Sequence, residues 1–253
     1  MFYRNYVELT WEEIKAVDKE KCYLILPVSS IEQHGRHLPV GTDDFILQMC
    51  MEELEKKENN TGMEFLCLPA LKVGTSCEHM NFPGTVTFSV TTYFSVIHDI
   101  AASVAKHGFK KMIIVNGHGG NTALLSGFSQ ELNLKYNLEI YNLELPALYA
   151  TCDEVPELSD MDAACEIHAG DIEVSLLLYK YPQVVHMEKA EDVPLYIESF
   201  YNSWVVDRLS PAGTMGKPLN ASAERGMLIL DYMMGKMMEV IDKILALRSI
   251  VKN

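Results

Sequence analysis

Two histidines and three carboxylates fall within residues 29–44, SSIEQHGRHLPVGTDD, directly behind an apolar run of strand length. Glu32 and His34 are two residues apart, and in extended chain such residues face the same side. The chain then turns and returns with Asp43 and Asp44. A carboxylate, an imidazole and a returning aspartate suit Zn, Mn or Fe. The Glu32–His34 pair alone is better explained as a polar loop, so the case for a metal site depends on the other clusters.

A second cluster, NGHGGN at residues 116–121, directly follows the apolar stretch KMIIV. Its three glycines let the backbone turn sharply and approach a ligand closely. His118 is therefore expected to project from the carboxyl end of a strand. A glycine-rich turn before a helix could instead bind a phosphate. The stretch lacks the Gly-Lys-Ser/Thr ending of a P-loop, which favours metal.

Two further stretches contain a histidine beside a turn. In EIHAGDIEVS, residues 166–175, His168 and Glu173 would lie about 140° apart on a regular helix. They can converge only if His168 precedes the helix, which Gly170 permits; a lone histidine at such a place is more often structural. In residues 74–85, Phe-Pro-Gly-Thr is typical of a type II turn, and His79 either lines a pocket or satisfies that turn.

Helical and strand patterns alternate along the chain, and a capping box at Thr10 opens the first helix. The strands have continuous apolar runs, which predicts a mostly parallel sheet covered on both faces, with ligands at the carboxyl ends of its strands. Strands are predicted over 22–29, 64–71, 111–116 and 138–145, and helices over 45–57, 92–107, 121–134, 171–179 and 221–249.

The bulk composition is that of a globular protein with a core, with 48% apolar and 22% charged residues in 253. The net charge of −14 argues against nucleic-acid or anionic-membrane surfaces, which need clustered Lys and Arg. The amino terminus has no signal-peptide pattern and no window reaches a membrane span, so a cytoplasmic protein is expected. The six cysteines form no C-x-x-C pair and are expected to be buried free thiols. Without a linker or repeat, residues 1–253 are expected to form one domain.

Four stretches together resemble the creatininase (creatinine amidohydrolase) family. The matches are EQHGxHLPxGTD at 32–43, EHxxFPGT at 78–85, NGHGGN at 116–121 and HAGxxExS at 168–175. A weaker match is GxxGxP at 213–218. The resemblance implies a three-layer α/β/α sandwich around a mostly parallel sheet. It also implies a homo-oligomer, often a hexamer, and two divalent metal ions per subunit (Zn, Mn or Fe).

The resemblance further implies roles for individual residues. Metal ligands would be Glu32, His34, Asp43 and His118, with Asp43 as the bridge and Asp44 only a neighbour. Creatininase proper carries a further glutamate ligand where this chain has Gly120, and Glu173 is the candidate replacement. His168 matches the residue that shuttles protons. His37, Glu78 and His79 would line the pocket or orient ligands, and the backbone N–H groups of Gly119 and Gly120 would stabilise an oxyanion.

The implied function is a metal-dependent amidohydrolase that cleaves a C–N amide bond in a small cyclic amide or formamide by a metal-activated water. Creatininase proper has tryptophans just before the HAG motif, whereas this chain has only Trp11 and Trp204, which argues against creatinine itself. The alternatives are a peptidase that matures a short peptide and a non-catalytic metal-binding scaffold. A dinuclear phosphatase is weakly disfavoured, because the chain has more acidic than basic residues and a phosphate substrate is an anion. Residues 146–167 are expected to shape the pocket.

Overall fold

A computed structural model describes residues 2–57, 62–195 and 203–250. The strands are β1 (Phe2–Asn5), β2 (Cys22–Val28), β3 (Glu64–Cys67), β4 (Lys111–Asn116) and β5 (Glu139–Glu144). The helices are α1 (Trp11–Ala16), α2 (Thr42–Glu55), α3 (Val90–Lys106), α4 (Thr122–Tyr136), α5 (Leu145–Tyr149), α6 (Asp171–Lys180), α7 (Val206–Leu209) and α8 (Ala223–Ile250). None of the helices in these ranges is long and apolar enough to cross a membrane.

The five strands form one sheet in the order β1-β3-β2-β4-β5, with every pair parallel. Strands β2 and β4 are central neighbours, and Val28 at the end of β2 lies opposite Asn116 at the end of β4. Gly117 N donates to Val28 O at 2.9 Å, so the two chains leave the sheet side by side. The loops that carry the first and second polar clusters therefore begin at one place.

Helices cover both faces of the sheet. On β2, Tyr23 and Ile25 pack into one core with α2, α6 and α8, whereas Leu24 and Leu26 pack into a second core with α3 and α4. This alternation is what a strand buried on both sides requires, because successive side chains point to opposite faces. The predicted α/β/α sandwich around a parallel sheet is confirmed.

Several local predictions are also confirmed. The Thr10 capping box opens α1. Gly84 has φ of 98°, as a type II turn requires at its third position, and Gly108 has φ of 89° just after α3. All six cysteines are free and five are buried, but Cys77 is exposed, contrary to the expectation of burial.

Two element boundaries differ from prediction, one at carboxylates that begin a helix and the other just before Pro69, which has no backbone N–H for a strand ladder. Helix α2 begins at Thr42 rather than at residue 45, so Asp43 and Asp44 occupy its first turn. Carboxylates are favoured there by the helix dipole, which an apolar-periodicity argument does not register. Strand β3 ends at Cys67 rather than at residue 71, and only an isolated bridge between Val28 and Leu71 continues its pairing.

Candidate metal centre

The five predicted ligand residues come from four places around the carboxyl edge of the sheet. Glu32 and His34 lie in the loop after β2, and His118 follows β4. Asp43 occupies the first turn of α2, and Glu173 occupies the first turn of α6. All five are buried, with Glu173 the most exposed at 7%. The structure therefore brings together residues that are up to 141 positions apart in the sequence.

Asp43 lies between the two histidines. Its Oδ1 is 3.2 Å from His34 Nε2, and its Oδ2 is 3.0 Å from His118 Nδ1. Glu173 Oε2 is 3.8 Å from His34 Nε2, and ligand atoms of Glu32, Asp43 and His118 lie within 4.8 Å of one another. Ligand atoms about 2.1 Å from one ion lie roughly 3 to 4 Å from each other. The spacing therefore suits two cations that share Asp43.

The outer nitrogens of the two histidines are anchored to backbone carbonyls. His34 Nδ1 donates to Glu32 O at 3.0 Å, and His118 Nε2 donates to Thr75 O at 3.0 Å. Because a carbonyl only accepts, the neutral form of each ring, which is the form that binds metal, presents its other nitrogen to Asp43 without a hydrogen. This arrangement is typical of metal-binding histidines. His34 Nε2 and Asp43 Oδ2 are buried and make no hydrogen bond, as ligand atoms awaiting a cation would.

Electrostatics favour a cation at the same place. Glu32, Asp43 and Glu173 are buried, and every ion-pair partner given for them in the described part of the chain is a histidine. Burial raises the pKa of Glu32 to about 7 and also raises the pKa of Glu173. Burial opposes charge on His34 and His118, but the carboxylates outweigh it and raise both pKa values to about 10. Protons on the two rings thus supply positive charge that a divalent ion would replace.

His168 lies beside the ligand cluster, before α6 as convergence with Glu173 requires. Ala169 after it has φ of 54°, a left-handed conformation that ends the loop ahead of Gly170. His168 Nδ1 is 3.7 Å from Glu32 Oε1. Burial and the positive charge of His34 lower the pKa of His168, which keeps its ring neutral. A neutral imidazole has one ring nitrogen without a hydrogen, which is the form that a general base requires.

The remaining predicted residues divide into those that face the cavity and those that do not. Glu78, His79, Gly119 and Gly120 line it, and burial lowers the pKa of His79 to about 3. His37 lies behind the cavity, where its Nε2 donates to Ala169 O at 3.0 Å, so it supports the loop rather than the pocket wall. Asp44 points away from the cluster to Lys72 Nζ at 2.8 Å, as expected of a neighbour.

The cluster opens into a cavity of about 360 Å³. Residues 146–167 contribute to its wall, as predicted, through Pro146, Tyr149, Ala150, Glu166 and Ile167. Trp204 and Met215 also contribute apolar surface to the wall; Met215 lies in the weaker match at 213–218, whereas Trp204 lies outside every motif. Gln33 was also missed, because alternation in extended chain predicts that a residue between Glu32 and His34 faces the opposite side.

Comparisons with known proteins identify the family of the chain. The profile of the family described as "Creatininase: Creatinine amidohydrolase" matches residues 7–241. The chain is 27% identical to a creatinine amidohydrolase from Pseudomonas putida, over 88% of this chain and 90% of that protein. It is 30% identical to a mycofactocin precursor peptide peptidase from Mycolicibacterium smegmatis, over 80% and 77%. A solved structure described as "Creatininase Mn" is 26% identical, has a TM-score of 0.76 and covers 94% of this chain and 97% of its own. The chain belongs to the creatininase family.

Proposed function

We propose that this protein is a metal-dependent amidohydrolase that cleaves a C–N amide bond in a small cyclic amide or formamide. The observation that carries the proposal is Asp43, whose two oxygens face the ligand nitrogens of His34 and His118 at 3.2 and 3.0 Å. Glu173 completes one half of the cluster and Glu32 the other. The adjoining cavity of about 360 Å³ is at the small end of ligand pockets and suits a small molecule.

Divalent ions held by these five residues would supply the activation of water and the polarisation of a carbonyl. Zn, Mn and Fe all suit the mixed carboxylate and imidazole set. The protein's own contribution is to position the substrate and to move a proton. The neutral His168 ring, with Nδ1 towards the cluster, would take a proton from the attacking water and return it to the leaving nitrogen. Backbone N–H groups at Gly119 and Gly120, which line the cavity, could stabilise the charge on the carbonyl oxygen.

A second candidate is a peptidase that matures a short peptide. The curated relatives include mycofactocin precursor peptide peptidases, with identities of 27% to 30% to this chain. The same centre would serve either substrate, because both reactions attack an amide carbonyl. A panel that pairs cyclic amides and formamides with short peptides, assayed by release of amine, decides between them. Hydrolysis of the peptides alone would contradict the first candidate.

Metal content tests the centre itself. We expect about two transition-metal ions per chain in protein purified without chelator, measured by elemental analysis. Asp43→Asn should lose metal and activity, since both halves of the cluster use this carboxylate. The neighbouring Asp44→Asn is the matched control, because Asp44 pairs with Lys72 outside the cluster. Equal metal content in the two variants would contradict the proposed ligand set.

The scaffold alternative has a distinct signature. A chain that binds metal through Asp43 but hydrolyses nothing in the panel would be a metal-binding protein without this activity. We further propose that residues 1–253 act as one amidohydrolase domain and that the protein is a homo-oligomer, a hexamer by family resemblance. Light scattering coupled to size-exclusion chromatography measures the number of chains.

A further inference from the structure

Gln33 lies between two histidines of the site and has no role in the proposed function. Its side chain is buried, with 4% of the residue exposed. Gln33 Nε2 is 2.9 Å from His79 Nδ1 and 3.1 Å from His168 Nε2. A side-chain amide can donate or accept, so its orientation decides which ring nitrogens carry hydrogen.

Two backbone groups fix the orientation of that amide. Gly35 N donates to Gln33 Oε1 at 2.9 Å, and Gln33 Nε2 donates to Gly213 O at 3.2 Å. If the amide oxygen and nitrogen were exchanged, the NH2 group would face the donor Gly35 N, and the oxygen would face the acceptor Gly213 O. The space is built for this side chain, since a Cβ on Gly213 would come within 2.0 Å of Gln33 Oε1.

The orientation determines the hydrogen on His79. Gln33 Nε2 can only donate, so His79 Nδ1 must accept and carries no hydrogen. The neutral ring then has its hydrogen on Nε2, which lies 3.3 Å from Glu32 Oε1. His79 therefore presents a donor to the carboxylate whose other oxygen faces His118.

His168 carries its hydrogen on the same ring nitrogen as His79, but a different contact determines this. Its Nε2 is 2.6 Å from the backbone carbonyl of Gln33, which only accepts, so this nitrogen carries the hydrogen. Both amide hydrogens of Gln33 are already used by His79 and Gly213, so the 3.1 Å contact with His168 Nε2 contains no shared proton. His168 Nδ1 is left without a hydrogen, 3.7 Å from Glu32 Oε1.

We infer that Gln33 is a positioning residue. Its side-chain amide makes His79 a hydrogen-bond donor to Glu32, and its backbone carbonyl leaves His168 Nδ1 as the proton-accepting atom. Glu32, His79 and His168 place ligand atoms within 4.8 Å of one another and could hold an ion on distance alone. The hydrogen on His79 Nε2 excludes that group as a third metal site. The proton-accepting role of His168 rests on the proposed function, whereas the positions of the hydrogens do not.

Nitrogen NMR of the full-length chain with ¹⁵N-labelled histidine tests the inference, both as purified and after dialysis against Zn²⁺. We expect hydrogen on Nε2 and none on Nδ1 for both His79 and His168. The signals are assigned with His79→Asn and His168→Asn variants. Hydrogen on Nδ1 of either ring in the wild-type chain would overturn the inference, whether or not any variant folds.

Gln33→Glu supplies the second measurement, because a carboxylate only accepts. We expect His79 Nδ1 to gain a hydrogen and kcat to fall about 10- to 100-fold with little change in KM. Gln130→Glu, the same change on an exposed residue of α4, is the matched control and should alter neither. A folded Gln33→Glu protein with the wild-type nitrogen pattern would contradict the role of Gln33. If the wild-type chain cleaves no amide, the proposed function fails while the nitrogen signals still decide the hydrogen positions.

Discussion

At the scale of single residues, Gly120 leaves no room for a side chain beside the ligand His118. A Cβ at this position would lie 2.4 Å from His118 Nε2 and 2.8 Å from Thr75 O, the carbonyl that anchors that ring. Gly120→Ala should therefore displace the imidazole, and a displacement of about 1 Å can reduce kcat/KM about 100-fold. Metal titration and steady-state kinetics measure the effect.

The neighbouring Gly119 supplies a matched control for this prediction. A Cβ there meets nothing within 4 Å, and Gly119 also lines the cavity. Gly119→Ala should keep the metal affinity close to that of the wild-type chain, because the added Cβ displaces no ligand. Equal losses of metal affinity in the two variants would mean that loop flexibility, rather than the position of His118, sets that affinity.

Part of the candidate site was predictable from simple geometry, whereas the set of proposed metal ligands was implied by the family resemblance. Glu32 and His34 were expected to share a side, and His118 was expected at a strand end. Gln33 escaped prediction because an amide between two ligands has no pattern of its own. Its importance depends on Gly213, 180 residues further along the chain, and only the folded structure brings the two together.

At the scale of elements, the close approach of α8 to α6 depends on a glycine. A Cβ on Gly226 would come within 1.9 Å of Ser175 O, a backbone atom that cannot move aside. Gly226→Ala should lower the free energy of unfolding by about 1–3 kcal/mol, as overpacking does. Urea unfolding followed by circular dichroism measures this change.

Gly235 on the same helix supplies a matched control for Gly226→Ala. A Cβ there meets nothing within 4 Å, so Gly235→Ala should stabilise the protein by about 0.5–1 kcal/mol through helix propensity. Opposite signs for the two substitutions are the expected result. If Gly226→Ala also stabilised the protein, the close approach of α8 to Ser175 would be contradicted.

A buried ion pair fixes the start of α6, which carries Glu173. Arg225 of α8 donates through Nε to Asp171 Oδ1 at 3.2 Å, and its Nη2 lies 2.7 Å from Oδ2. The Asp171 side chain is only 2% exposed. Arg225→Leu should cost about 3 kcal/mol of unfolding free energy, because it leaves a buried charge unpaired.

The ion pair between Asp160 and Arg225 is an exposed contact that can be compared with the buried one. Asp160 pairs with the same Arg225 at 2.9 Å, but its side chain is 69% exposed. Asp160→Asn should leave the unfolding free energy almost unchanged, because exposed ion pairs contribute little to stability. Similar losses in Arg225→Leu and Asp160→Asn would argue that the Asp171 pair contributes little.

Element positions were predictable wherever apolar periodicity alone determines them, and less so where polar groups do. Strand β4 has the predicted bounds because all six of its residues are buried. Strand β1 was missed, because its residues Arg4 and Asn5 break the apolar pattern of an edge strand only four residues long. It is held by pairing with β3, a long-range contact that its own sequence does not encode.

At the scale of the whole molecule, the candidate metal centre joins four parts of the chain that are distant in the sequence. Its proposed ligands come from the loop after β2, from α2, from the end of β4 and from α6. Without a cation, three carboxylates are buried together, and each lies within ion-pair distance of at least one histidine. A bound ion should therefore stabilise the folded state as well as the reaction, because the unfolded chain cannot assemble these ligands.

Chelation should consequently lower the melting temperature of the wild-type protein. An ion present at 100 times its Kd contributes about 2.7 kcal/mol to folding. For a chain of this size that corresponds to a fall of roughly 5–10 °C on its removal. Scanning calorimetry with and without chelator measures the shift. The shift should persist in Asp44→Asn and vanish in Asp43→Asn, because only Asp43 faces both His34 and His118. An unchanged melting temperature in the chelated wild-type chain would mean that the cluster is held together without metal.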